Sequence, residues 1–305
     1  MNLSKYIWQR LQTPQRSAEI AKTVLLQSLI TSPTTAPYMR RRVEPLSPKK
    51  WVFVVGCYNS GTSLLLQLLG QHPEISIIDE GVFWTNQLST PEDFGWTRMW
   101  AQVADEVRLT ESDKDCDSTL IRHDWAYLAK GSKPVVMEKS IVNSARMRWL
   151  QANFDNAYFI SIVRNGYAVA EGIRRKVAKR GRGFPAQFED TYPLDLCAQQ
   201  WVVNNQIIDE DSRYIRRFLP LRYENLCDNP IRVMKSAWDF LELTAPNSSY
   251  DEDREWNIHD QKSTIKNMNN SSFERLSIEE IKTIELVAQS MLNEYNYPLL
   301  SKVLP

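Results

Sequence analysis

Short apolar runs alternate with segments of helical periodicity along this chain, and that alternation limits the possible fold more than any other feature. "WVFVV" (51–55) is continuously apolar, as a strand buried on both faces requires. "ISII" (75–78), "PVVMEK" (134–139), "AYFISIV" (157–163) and the start of "LPLRYENL" supply four more strands. Between and after them the spacing predicts helices over 61–70, 92–107, 118–130, 143–153, 166–178, 193–218 and 229–242. A last long helix opens with the capping-box pair Ser277 and Glu280 and offers Ile278, Ile281, Ile284, Ala288 and Met291 to a core. Strands and helices in alternation predict an α/β fold with a central parallel sheet, helices on both faces and right-handed crossovers.

Ligands of such sheets bind beyond the carboxyl ends of the strands. The loop after Val55 lies there, with Glu80, Lys139, Arg164 and Tyr223 at the other strand ends. In "GCYNSGTS", Gly56 and Gly61 have the span of a nucleotide phosphate loop, so the predicted architecture is a P-loop-like three-layer one. Glycines let main-chain N–H groups turn around an anion, the helix N-terminus adds its dipole, and Thr62 and Ser63 add hydroxyls. The pattern wants Lys before its final Ser or Thr, where this chain has Thr62. Without that lysine a magnesium-bound triphosphate lacks its main charge partner, and a less charged group suits the loop better. Arg164 follows a buried strand, where an unpaired guanidinium is costly. An anionic ligand or an internal carboxylate must answer it. Lys139 is either functional or the partner of Glu138 or another acid.

Lys and Arg balance Asp and Glu, 37 against 37, so overall charge points to no particular partner. The run "RRKVAKRGRG" (174–183) is a solvated helix end or a rim that attracts anions; no reader motif accompanies it, and no nucleic-acid partner is expected. Four widely spaced cysteines without a CxxC pair, and only three histidines, predict no metal site and a reducing, cytoplasmic setting. "MNLSKYIWQRLQ" lacks the apolar core of a signal peptide, and no run reaches the ~18 apolar residues of a membrane span. Helical spacing over 3–30, interrupted at Pro14, carries Lys5, Arg10 and Arg16, which permit weak peripheral membrane contact; packing on the main domain is the alternative. With the Pro-containing stretch after it, this gives a helical extension and linker over 1–49 and an α/β domain over 50–305.

"YNSGTS" resembles the 5′-phosphosulfate loop of the sulfotransferases that use 3′-phosphoadenosine 5′-phosphosulfate (PAPS), which often reads "PRSGTT" or "PKSGTT". "MEKSIVNSARMRWLQANFDNAYFISIVRNG" and "LPLRYENLCDNP" resemble further family segments, and "DQKSTIKNMNNSSFERLS" is similar, more loosely, to the C-terminal cofactor loop. The likeness is to the bacterial, carbohydrate and tyrosylprotein-type branch more than to the cytosolic aryl branch. It implies in-line transfer of a sulfuryl group from PAPS to the hydroxyl of a glycan, lipid or small natural product, without a metal.

Asn59, Ser60, Gly61, Thr62 and Ser63 are then the cofactor loop, with Asn59 where the family has a basic residue. Arg164 binds the 3′-phosphate, Tyr223 and Lys266 lie on the cofactor side, and Lys139 stabilises the leaving group. Gly172 stands where the family has a phosphate-binding Ser, with Arg174, Arg175 and Lys176 close enough to supply charge. Glu80 is the base, as in some members; Asp79, His72, His123 and His259 are the other candidates, His72 matching a position that is usually structural. A P-loop kinase or NTPase and a non-catalytic nucleotide-binding relative are the competing readings. The missing loop lysine opposes the first; Lys139, Arg164 and Glu80 oppose the second.

Overall fold

Five strands form one parallel sheet in the computed structural model, which describes residues 14–129, 131, 133–176, 184–188, 190–246, 256–258 and 261–303. They are β1 (Lys50–Gly56), β2 (Ile75–Asp79), β3 (Val135–Lys139), β4 (Ala157–Val163) and β5 (Phe218–Arg222), in the spatial order β2-β3-β1-β4-β5. Alternation along the central strand β1 sends Trp51, Phe53 and Val55 to one face and Val52 and Val54 to the other. The first face is closed by Trp125, Trp149, Leu150, Ile207 and Ile208. The second is closed by Leu64, Leu65 and Leu68 of the helix Thr62–Leu69 and by Val233, Met234 and Ala237 of the helix Pro230–Phe240. The parallel sheet and its two helical layers are those the alternation predicts. Much of the tryptophan is core: Trp51, Trp100, Trp125, Trp149 and Trp201 are fully buried, and Trp51 meets Phe154 edge-on at 4.9 Å.

Several segments differ from expectation. The helix expected over 92–107 is instead two 3-10 turns, Pro91–Phe94 and Trp100–Val103, and one α-turn, Ala104–Val107. Gly95 (φ 80°) and Arg98 (φ 61°) have left-handed backbone, which no right-handed helix accommodates. The helix expected to reach 218 stops at Ser212, and Phe218 already belongs to β5. The segment expected as helix 143–153 begins as a 3-10 turn, Ile141–Ala145, before the helix Met147–Asn153. The capping box at Ser277 and Glu280 is formed, but Ile278 is exposed while Ile281, Ile284, Ala288 and Met291 are buried. An antiparallel pair, β6 (Trp256–Ile258) with β7 (Gln261–Ser263), had no sequence signal strong enough to predict it.

The helix Pro14–Thr31 begins at the proline expected to interrupt it, at a position where a missing N–H costs nothing. Gln27 donates from Nε2 to the Phe83 carbonyl at 2.8 Å. The following stretch is anchored rather than loose: Arg40, in the short helix Ala36–Arg40, makes a bidentate pair with buried Asp124 at 2.8 and 2.7 Å. The membrane-contact expectation rests on Lys5, Arg10 and Arg16, whose side chains lie outside the described ones. His259 and residues 177–183 of the basic run also lie outside the described residues. No helix among the described residues is long and apolar enough to cross a membrane, and the four cysteines are free thiols.

Candidate functional site

The loop is built by two glycines that nothing else can replace. Gly56 ends β1 with φ 147°, and a Cβ there would lie 2.5 Å from the Ile162 carbonyl oxygen of β4. Gly61 has φ 100°, and its Cβ would lie 2.7 Å from the Tyr223 ring. Ser144 Oγ accepts the Gly56 N–H at 3.0 Å. Asn59 is left-handed too (φ 63°), a conformation asparagine tolerates better than most residues. Ser60, fully buried, donates from Oγ to the Cys57 carbonyl at 2.6 Å; it closes the loop rather than facing a ligand. Thr62 and Ser63 open the helix Thr62–Leu69, whose first N–H groups are the natural anion donors.

On one side of the loop stands Arg164, at the end of β4 and only 8% exposed. Its Nε donates to Asn269 Oδ1 and its Nη1 to the Asn59 carbonyl, both at 2.8 Å, and its guanidinium lies 4.2 Å over the Tyr223 ring. Among the described residues no carboxylate forms an ion pair with it. Burial pushes it below the ordinary arginine value. Tyr223 donates its hydroxyl to the Lys266 carbonyl and accepts the Met268 N–H, each at 3.2 Å. The loop, Arg164, Tyr223 and the segment 266–269 are thus one assembly, although the Lys266 side chain is exposed. Asn269, which also donates to Glu224 at 2.8 Å, was missed at residue level, though its segment was singled out.

Gly172 lies on the helix Gly166–Lys176, and its two expected anomalies turn out to be one: a Cβ there would lie 3.2 Å from both Cβ and Cγ of Asn59. The small residue at 172 makes room for the side chain at 59. Arg175 is drawn off to Glu171 at 2.8 Å, and Arg275 stands 3.6 Å from the same carboxylate. Lys176, one turn beyond Gly172, has no ion pair among the described residues. Burial, then the charges of Arg175, Arg164 and Arg98, push it down to about 8. A glycine cradle beside under-compensated cations fits a ligand carrying several negative charges.

On the other side β2 and β3 end together, with Asp79 opposite Lys139. Lys139 is 3% exposed, and its Nζ lies 2.6 Å from Asp79 Oδ1 and 2.6 Å from Glu80 Oε1. Burial pushes the ammonium down, but the charges of Glu80 and Asp79 more than offset this, so it is held above its ordinary value and stays protonated. Glu80 reaches it by a left-handed turn (φ 54°), its N–H donating to the Lys139 carbonyl at 2.7 Å. The candidate base and the candidate leaving-group cation therefore touch. Tyr58 borders the same space: burial, then Glu92 and Glu80, push its phenol up, with Arg98 opposing. His72 and His123 are engaged elsewhere by main chain: the former accepts the Glu74 N–H at 3.2 Å and meets the Thr244 carbonyl at 3.0 Å, the latter meets the Val43 carbonyl at 2.9 Å.

Glu138 is not the partner of Lys139. Neighbouring strand residues face opposite sides, and Glu138 is fully buried behind Glu80. It accepts the Gly81 N–H at 3.0 Å, Asn143 Nδ2 at 2.8 Å and the Ser140 hydroxyl, fixing the turn that carries Glu80. A carboxylate inside an apolar strand was the signal for it. Burial raises it from 4.5 to about 7 despite those donors. The unfolded chain therefore releases this proton first, so stability falls as pH rises from 4.5 to about 7 and levels off above. Glu138→Gln is expected to abolish that slope, worth on the order of 3 kcal/mol. Urea unfolding of both proteins at pH 5, 6 and 7.5 checks it; parallel curves would refute it.

Comparison with known proteins bears on the same residues. The model of the Sulfotransferase family matches residues 52–247, more than half of the chain. The chain belongs to the sulfotransferase family. The matched span holds the loop, Glu80, Lys139, Arg164, Gly172 and Tyr223; Lys266 and Asn269 lie beyond it. This member of the family is 26% identical over 219 residues to Protein-tyrosine sulfotransferase 1 of Danio rerio, covering 68% of this chain and 56% of that protein. It is 23% identical over 248 residues to Protein-tyrosine sulfotransferase A of Caenorhabditis elegans, covering 78% of this chain and 60% of that protein. It thus spans less than two thirds of either relative. Among solved structures, the sulfotransferase domain of the Synechococcus PCC 7002 olefin synthase is similar with a TM-score of 0.49 and 20% identity, over 80% of this chain and 96% of that one.

Proposed function

We propose that this sulfotransferase moves a sulfuryl group from PAPS to an acceptor hydroxyl. The observation that carries the reading is the contact of Lys139 with Glu80, 2.6 Å, at the strand ends beside a glycine loop that lacks the triphosphate lysine. In the reaction the acceptor oxygen bonds to sulfur, its proton goes to Glu80, and the bond from sulfur to the bridging oxygen breaks. The electron pair leaves with the phosphate, and Lys139 donates to that oxygen as its charge grows. The N–H groups of Gly61, Thr62 and Ser63 hold the 5′-phosphate end, Arg164 and Lys176 the 3′-phosphate. Asn59 and Gly172 contribute shape there rather than charge. A sulfuryl group carries less charge than a phosphoryl group, so amides and one ammonium suffice and no Mg²⁺ is required.

The acceptor is a hydroxyl of a glycan, lipid or small natural product. The names of the two curated relatives add a peptide tyrosine hydroxyl to the acceptors worth testing. Adenosine 3′,5′-bisphosphate at 1 mM in EDTA is expected to raise the thermal midpoint, since ligand at about 100 times its Kd stabilises by about 2.7 kcal/mol. ATP with Mg²⁺ should do less. A bisphosphate that gives no shift, or turnover of ATP with Mg²⁺, would overturn the reading.

A further inference from the structure

Position 59 carries no cation, but a cation reaches the loop from another direction. Arg98 lies just before the 3-10 turn Trp100–Val103, with left-handed backbone (φ 61°) that a non-glycine residue adopts at some cost. Its N–H is held by Glu92 Oε1 at 3.2 Å. Its neighbours are fixed: Met99 and Trp100 are fully buried, Tyr192 donates its hydroxyl to the Thr97 carbonyl at 3.0 Å, and the Ala101 N–H donates to Gln200 Oε1 at 2.9 Å. The guanidinium stands 6.0 Å from the ring of Tyr58, the loop residue before Asn59. Among the described residues no carboxylate pairs with that guanidinium. Its charge is also one of those that lower Lys176, after burial and the charges of Arg175 and Arg164. The Asn59 side chain, resting on Gly172, leaves the Tyr58 side of the loop to Arg98. A strained backbone, a rigid frame and a cation with no carboxylate partner among the described residues are together what a preorganised anion ligand shows. A solvated surface arginine needs none of them.

We propose that Arg98 is the cation of the phosphosulfate loop in this chain, binding the 5′ oxyanion end of the donor nucleotide in the role left open at Asn59. The proposal rests on PAPS being the donor. Arg98→Gly and Arg98→Asn test it, because both residues accept left-handed backbone and keep the fold. Calorimetry would compare adenosine 3′,5′-bisphosphate, adenosine 5′-phosphosulfate and adenosine 3′-monophosphate. The two ligands with a 5′ group are expected to bind roughly 10- to 100-fold more weakly to the variants, and the 3′-monophosphate equally well. The thermal midpoint of the free glycine variant should be unchanged or higher, and Arg98→Lys should recover part of the affinity. Equal loss for all three ligands would overturn the proposal. So would wild-type nucleotide affinity in the variants, including the case where only the KM for the acceptor rises. If the wild-type protein binds none of the three, the donor assignment falls and this inference with it; wild-type binding with unaffected variants sinks this inference alone.

Discussion

Lys139→Ala is expected to lower kcat by roughly 10²- to 10³-fold while changing affinity for adenosine 3′,5′-bisphosphate only a few-fold. Lys139 meets Glu80 and Asp79 at the ends of β3 and β2. Among the described residues its ammonium is the one buried cation in contact with the candidate base, so its work is expected in the charge that grows during transfer rather than in ground-state binding. The fold should survive. Glu80 and Asp79 keep 34% and 58% of their side-chain surface exposed, so water can solvate them once the ammonium is gone. Lys139→Met, which retains most of the stem, separates lost packing from lost charge. Single-turnover transfer from PAPS to any accepted hydroxyl, together with calorimetry, makes the measurement. Undiminished turnover in both variants would remove Lys139 from the reaction.

The second large effect concerns the other end of the loop. Gly56→Ala is expected to cost roughly 2–4 kcal/mol of stability and to weaken nucleotide binding with it. Its Cβ would meet a main-chain oxygen at 2.5 Å, and Gly56 and Ile162 are paired in register across β1 and β4. A side chain can swing aside; a carbonyl inside a parallel ladder can move only with its strand. Gly95 is the control, since it also has positive φ (80°) but nothing within 4 Å of an added Cβ. Gly95→Ala should cost about 1 kcal/mol, the backbone share alone. Urea unfolding of the two variants gives the difference. Equal costs would mean that the approach of β4 does not constrain the loop.

The strands were legible because a strand buried on both faces must be largely apolar: β1 is so from Trp51 to Val55, β4 is so but for Ser161, and β3 is so as far as Met137. Their ends were legible for the complementary reason: Lys139 and Arg164 are charges where an apolar run stops, and the fold had to bring such ends together. The stretch 92–107 misled because Trp96, Trp100, Val103 and Val107 recur at helical spacing while Gly95 and Arg98 take left-handed backbone. Periodicity reports which residues seek a core and says nothing about the turns that carry them there. Asn269 and Arg98 escaped notice, and Glu138 was read as a partner of Lys139, for a common reason. Each meets a partner distant along the chain: Glu138 the turn after β2, Asn269 the guanidinium of Arg164, and Arg98 the ring of Tyr58. The family resemblance pointed to the loop and the lysine, but it presented Asn59 and Gly172 as two separate departures. Only their contact makes them one.

That contact governs the order in which changes at these positions can accumulate. A hydroxymethyl group introduced at 172 meets the Asn59 side chain before that neighbour has withdrawn, whereas a longer side chain introduced at 59 finds the glycine's open ledge already there. Scanning position 172 singly will therefore discard substitutions that are tolerated once 59 is smaller. A library varying both together is the way to recover them.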